Sequence, residues 1–294
     1  MIDKRTPFFA YRYLVTPKSN QISLQQVANK NKEELMYDII HQLAMSTKTE
    51  FIKGNKRFLF YGSQSKKNIF ILKYAREIIE NRYTEGDDDI EVNKSKEVKY
   101  IYIILDTEHQ IVLMERNHSV FHSISQAVSV LSDFFREKMY DFDYVVNIYP
   151  LASKRKFWNY VESADEIFEL ALVMNAPNMA FFGHDDTRDV LRQIKEATNN
   201  EEFDIAFKNK EGNLKIAKET LGGWIDYVRE IGGKYLLKFS VNGIKETKTS
   251  SSDTVKTYIS KKKNTKFTEE EIENIKTKIE AINTLESRDD AEDK

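Results

Sequence analysis

Short bursts of apolar residues, each closed by a polar or Pro-containing break, set out the first half of the chain. Phe8-Phe9-Ala10-Tyr11-Arg12-Tyr13-Leu14-Val15 is aromatic and β-branched and stops at Thr16-Pro17, which predicts a strand. Between Leu24 and Met45 the residues Leu35, Ile39, Ile40 and Leu43 recur at helical spacing with one buried face. Arg57–Tyr61 and Asn68–Tyr74, joined by Gly62–Lys67, predict a hairpin. Tyr100–Leu105 and Gln110–Met114 predict a second one around Asp106-Thr107-Glu108-His109. The acidic, Gly-containing stretch Glu85–Asp89 between the hairpins predicts an exposed loop. A helix over Ser123–Lys138 carries Val128, Leu131, Phe134 and Phe135 on its apolar stripe.

The second half mixes the same two periods. Phe142–Pro150, Ile167–Val173, Phe203–Phe207 and Lys234–Val241 read as strands, the last ending in an Asn242-Gly243 turn signal. Helices are predicted over Lys154–Val161, Asp185–Ala197 and Thr220–Ile231, with Gly232-Gly233 as the stop of the last and Trp158 and Trp224 on apolar faces. Residues 244–266 are rich in Ser, Thr and Lys and show little periodicity. Thr268 and Glu271 then form a capping box. Ile272, Ile275, Ile279, Ile282 and Leu285 make a seam at three- and four-residue spacing, with an acidic tail after it.

Strands and helices without strict βαβ alternation predict an α+β fold with largely antiparallel, hairpin-linked sheets. The expected units are an N-terminal α+β domain over 1–140, a second over 141–267, and the helix and tail over 268–294.

Composition narrows the chemistry. With no Cys among 294 residues, disulfides, thiolate zinc sites, iron–sulfur clusters and thiol catalysis are excluded. No apolar run reaches the length of a membrane span, and the N-terminus lacks a signal-peptide h-region, so a cytoplasmic protein is expected. There is no GxxxxGK[ST], no GxGxxG after a strand and no GxSxG. No cofactor is expected. His118 and His122 stand four apart but lack the Glu of HExxH, and Asp185-Asp186 after His184 is explained by a helix start. Asp89 with Glu97-Val98-Lys99 approximates a metal-dependent nuclease triad and supplies a minority reading.

Charge is segregated although the total is −2. Residues 204–267 carry net +7, residues 50–83 net +5, and residues 268–294 net −6. Three cationic clusters stand out: Lys66 with Lys67; Lys154, Arg155 and Lys156; and Lys261, Lys262 and Lys263 with Lys266. Cations beside Tyr and Phe suit a polyanion, so nucleic acid is the expected partner, DNA ahead of RNA, bound without strong sequence specificity. The plain alternative is a solvated Lys-rich surface, with the acidic tail pairing in cis with residues 244–266. The seam Ile272, Ile275, Ile279 and Ile282 is the expected interface of a homo-oligomer, or the docking face for an operon-encoded partner that carries the catalysis.

The layout resembles a loosely defined group of bacterial proteins encoded near mobile-element and antiphage-defence genes. The likeness rests on the opening aromatic strand, the two central hairpins, and Val145–Pro150. It extends to Ile167–Val173 leading into Ala176-Pro177-Asn178, and to Val241-Asn242-Gly243 before a Ser/Thr-rich segment. It is distantly similar to the RexA-like phage-exclusion proteins of lambdoid prophages. That resemblance implies a dimeric DNA-binding sensor or regulator of phage exclusion. It supplies no catalytic motif.

Overall fold

The computed structural model describes residues 5–18, 31–85, 89–175, 186–198, 200, 202–230, 232–260 and 266–285. Two antiparallel sheets organise it, as the α+β expectation requires. The first contains β1 (Arg5–Pro17), β2 (Thr49–Lys53), β3 (Lys56–Lys66), β4 (Ile69–Glu85), β5 (Ile90–Asp106), β6 (Ile111–Glu115), β7 (Tyr144–Pro150) and β12 (Lys256–Ser260). Its order is β12-β1-β6-β5-β4-β3-β2. Strand β1 is long enough to serve two partners on one side: Arg5–Phe9 pair with β12, and Tyr11–Pro17 with β7.

Both faces of this sheet are covered. On one, α1 (Lys32–Met45) and α2 (Ile124–Met139) bring Met36, Ile40, Leu131, Phe134 and Phe135 onto Phe58, Phe60, Phe70, Tyr74 and Ile103. On the other, α6 (Glu269–Leu285) brings Ile272, Ile275, Ile279 and Ile282 onto Phe8, Ala10, Ile71, Tyr102 and Ile104. Alternation along each strand therefore feeds two cores, and burying each such isoleucine is worth about 1.5–3 kcal/mol. The helix starts are capped as their sequences dictate. Asn31 and Glu34 form a capping box on α1, and the Ser123 side chain accepts from Gln126 N on α2. Thr268 and Glu271 form the second box, with Thr268 N donating to Glu271 at 2.6 Å.

The second sheet, order β11-β10-β8-β9, contains β8 (Glu166–Asn175), β9 (Glu202–Lys208), β10 (Gly233–Val241) and β11 (Ile244–Thr249). Helices α3 (Lys154–Ser163), α4 (Asp186–Thr198) and α5 (Lys218–Glu230) supply Phe157, Trp158, Leu191, Leu221, Ile225 and Val228 to one of its faces. The opposite face has no helix on it among the described residues.

The expected boundary near residue 140 falls inside the first sheet, because β7 belongs to it. The second unit is inserted between β7 and β12, and the chain returns through β12 and α6. Outgoing and returning backbone lie side by side at this junction. Leu151 N donates to Ala10 O at 3.0 Å, Val255 N to Leu151 O at 2.7 Å, and Ala10 N to Val255 O at 2.9 Å. Ala152 and Thr254 form the bridge that closes the insertion.

Three local expectations change. Gly62 lies within β3 rather than in a turn. A Cβ there would sit 1.8 Å from Ala44 O, so glycine is needed for the end of α1 to press onto the strand. The turn is only Lys67-Asn68, with Lys67 at φ 53°. Strands β4 and β5 continue far beyond the expected hairpins and pair residue for residue down to Glu85 and Ile90. The stretch 244–266 contains β11 and β12 and a buried polar turn: Ser250, Asp253 and Thr254 are all buried. Asp253 accepts from the hydroxyls of Tyr160 at 2.9 Å and Tyr235 at 2.6 Å. Burial, with Asp253 adding to it, pushes the Tyr160 hydroxyl up to about 12 and raises Tyr235 further.

Candidate nucleic-acid interface

The residues singled out by sequence scatter over the fold. Lys66 and Lys67 sit at the β3–β4 turn, where Lys66 lies 4.0 Å from Glu269 at the start of α6. The Gln64 side chain pins this corner by donating to Phe267 O at 2.7 Å and accepting from Phe267 N at 2.5 Å. Lys154 is held 2.7 Å from Asp226 across α3 and α5. Arg155 and Lys156 are exposed on the same helix, in the inserted unit. The clusters at 66–67 and 154–156 therefore belong to different units. Lys261, Lys262 and Lys263 lie outside the described residues.

The seam expected to serve an oligomer or a partner is corrected outright. Ile272, Ile275, Ile279 and Ile282 are all buried against the chain's own first sheet. The amphipathic period was right; the surface it covers is intramolecular.

Two of the three metal readings can be placed on the fold. His118 has both ring nitrogens engaged, accepting from Arg116 Nε at 2.9 Å and lying 3.2 Å from His122 O. His184 and Asp185 lie outside the described residues. Asp89 stands at the far end of the β4–β5 ribbon from Glu97, eight residues or about 25 Å along the strand, so the expected triad is not one site. Lys99 instead pairs with Glu80 at 2.5 Å and Glu97 at 3.7 Å. Asp106, Glu108 and His109 cluster in the β5–β6 turn. There Asp106 accepts from Glu108 N at 3.0 Å and lies 2.6 Å from His109 Nδ1, which makes the cluster the wiring of the turn itself.

What the structure does bring together is the uncovered face of the second sheet. Leu170, Leu172, Tyr235, Leu237 and Phe239 point to the helices, so their alternates face outward. Those alternates include Glu169, Ala171 and Val173 on β8, and Asp204, Ala206 and Lys208 on β9. They continue with Lys234, Leu236 and Lys238 on β10. Register aligns Lys208, Glu169, Lys238 and Thr247 in one cross-strand row, and Ala206, Ala171, Leu236 and Thr249 in the next. Glu169 is clamped by Lys238 at 2.7 Å and Lys208 at 3.2 Å. These bonds hold its carboxyl below the ordinary glutamate range. Phe168 is the extra residue of a β-bulge, and Lys245 lies over its ring at 4.8 Å. Lys208, Lys234, Lys238 and Lys245 thus share the face with Glu166, Glu169, Glu202 and Asp204.

One end of this face meets the first unit and forms a corner. Lys234 Nζ is 5.7 Å from the Tyr149 ring of β7. A cleft of about 300 Å³ opens there between α2 with β7 and the second sheet, with Asp133, Arg136, Asn147, Tyr149, Glu202 and Lys234 on its walls. Arg136 donates through Nε to Val146 O at 2.9 Å and also to Asn147 Oδ1. Behind it, Asn175 Oδ1 accepts from Tyr149 Oη at 2.7 Å and Asn147 Nδ2 at 3.4 Å. Burial, reinforced by the Glu202 charge, keeps the Tyr149 hydroxyl protonated well above the ordinary tyrosine value.

The excess charge is legible in the sequence but the face is not, because Lys234 and Lys238 are four apart on a strand and share a side through the period of two. No protein-family model and no curated protein matches this chain. Among the described residues, no helix is long and apolar enough to cross a membrane.

Proposed function

We propose that this chain binds nucleic acid, DNA ahead of RNA, on the open face of its second sheet and in the corner that face makes with the first unit. It acts there as a sequence-tolerant sensor or regulator in antiphage defence. The observation that carries the binding reading is the four-lysine face left without a helical cover. A solvated antiparallel sheet needs polar outward residues, but any polar mixture would serve. Here four lysines are displayed together, and of the acids among them Glu169 is held by two of the lysines and Glu166 accepts from Ser240 Oγ at 2.9 Å. Such a face neutralises phosphates without reading bases, and Phe168 offers one ring for stacking. The defence setting rests on the sequence resemblance.

The test is a binding titration against duplex and single-stranded DNA and RNA across ionic strength. The reading expects affinity to fall steeply with salt. A triple Lys208→Gln, Lys238→Gln, Lys245→Gln variant should lower the log–log slope by about 0.7–0.9 per lysine removed. A Lys66→Gln, Lys156→Gln variant should leave it nearly unchanged. Affinity that is flat with salt, or a triple variant that binds like the parent chain, overturns the reading.

A further inference from the structure

At one end the outward face of the second sheet runs under the first unit. Its cross-strand rows step from Lys208–Glu169–Lys238 through Ala206–Ala171–Leu236 and Asp204–Val173–Lys234 to Glu202–Asn175. Asn175 belongs to the outward set by its register, yet it is only 2 % exposed, because Asn147 and Tyr149 of β7 lie over it. Its Oδ1 accepts from both of those side chains, which fixes the orientation of the amide. Its Nδ2 is buried and has no hydrogen-bond partner among the described residues. The cleft of about 300 Å³ at this corner therefore continues the face, and Lys234 belongs to both.

The cleft differs from the lysine rows in what it can hold. Its charges cancel, with Arg136 and Lys234 against Asp133 and Glu202. Asp133 is paired with Lys53 and lies 3.8 Å from Arg136, and Glu202 lies against the Tyr149 hydroxyl. Between them the walls are hydroxyls and an amide, from Ser125, Ser129, Ser251 and Asn147. A free anion would meet as many acids as cations there. An apolar ligand would strip water from these polar groups without replacing it. The walls match a neutral group that carries both donors and acceptors, and the volume is at the small end of ligand sites. It has room for one nucleoside and none for a duplex.

We propose that this cleft takes the base of a single unpaired nucleotide, while the lysine rows beside it hold the phosphates of the same strand. The inference rests on the binding reading above and adds a preference that the open face alone does not supply, for a strand end or gap over fully paired DNA. Arg136 is fixed by its bonds to Val146 O and Asn147 Oδ1, so its remaining N–H groups are held ready for a base acceptor. Glu202 can accept from a base N–H. Each of the four bases carries at least one donor and one acceptor on its pairing edge, so occupancy needs no particular sequence. In a duplex those edges are paired and stacked, and drawing one out is costly. An unpaired nucleotide avoids that cost.

Equilibrium binding of the full chain to three DNAs tests this. They are a blunt duplex, the same duplex with one unpaired terminal nucleotide, and that second DNA with an abasic site at the unpaired position. The unpaired nucleotide should tighten binding about tenfold, the worth of about two ordinary hydrogen bonds. The abasic site, which keeps the added phosphate, should return the affinity to that of the blunt duplex. Ser125→Trp fills the cleft from the exposed side of α2 and should bring the ratio of the two affinities to about one. The abasic comparison uses the parent chain and so does not depend on how that variant folds. The Lys208, Lys238 and Lys245 triple variant should weaken both DNAs in parallel and keep the ratio. A ratio near one for the parent chain, abasic DNA bound as tightly as its natural counterpart, or a ratio untouched by Ser125→Trp overturns the inference, while a steep salt slope in the same titrations leaves the open-face reading standing. Absence of salt-dependent binding to all three DNAs overturns that reading and this inference with it.

Discussion

The two sheets meet solvent in opposite ways. The first is sandwiched, with α1 and α2 on one side and α6 on the other, so both sets of alternates are apolar over Phe8–Val15 (Arg12 apart), Ile69–Leu72, Ile101–Leu105 and Ile111–Met114. Among the described residues the second has helices on one side only, and its other side carries lysine, glutamate, alanine and threonine. The difference teaches where to look for a partner. A doubly covered sheet spends both faces on stability, whereas a singly covered one has a face on which charge can be arranged at little cost to the core. The inserted unit supplies that face, and the first unit holds it in place by gripping both ends of the insertion.

Truncation in the doubly covered layer should have the largest effect. Ile279→Ala removes a fully buried side chain beneath α6 and should cost about 3 kcal/mol in denaturant unfolding. Leu236→Ala on the open face should cost less than about 1 kcal/mol. Equal losses would mean that the second sheet is also covered in solution.

The junction between the sheets comes next. Asp253→Ala strands the hydroxyls of Tyr160 and Tyr235 and should cost about 2 kcal/mol. The same knot gives an alkaline limb. Tyr160 ionises at about 12 when folded against an ordinary value of 10.0, so the unfolded chain loses its proton first. Stability is full below pH 10 and declines as pH rises through 10 toward 12. Tyr160→Phe should flatten that decline in urea midpoints measured across pH.

A smaller effect sharpens the contrast at the open face. The carboxyl of Glu169 is depressed below its ordinary 4.5, so its contribution is present above that pH and is lost as pH falls through the lower folded value. Glu169→Gln should remove this acid dependence and, by freeing Lys208 and Lys238, tighten binding to single-stranded DNA. Unchanged binding would detach the lysine row from the proposed interface. The smallest effect belongs to Lys66→Gln, whose 4.0 Å contact with Glu269 is a surface pair. Its unfolding free energy should shift by less than about 1 kcal/mol.

Much of the architecture is determined by local sequence. The aromatic opening strand, the Asp106–His109 turn, the α2 stripe and the Thr268–Glu271 box all occur where the residues place them, because caps, turns and periodicity act over a few residues. The far β4–β5 extension, Glu77–Glu85 and Ile90–Val98, escaped because the described residues bury neither of its faces, so the alternation that marks a strand is diluted by charge on both sides. Strands β11 and β12 escaped because their outward and edge positions are Lys, Thr and Ser. The use of the α6 seam, the pressing of α1 onto Gly62 and the burial of Asp253 were decided only by tertiary structure. A stripe of isoleucines specifies that a face must be covered, and Ser, Thr and Asp can be buried wherever their hydrogen bonds are met. Which surface does the covering depends on residues more than two hundred positions away, as when Phe8 and Ala10 receive Ile275 and Ile279. The sequence by itself determined the elements, the excess of charge over 204–267 and the absence of thiol chemistry. The return of the chain from the inserted unit, which closes one sheet on both sides and leaves the other open, decided where that charge is displayed.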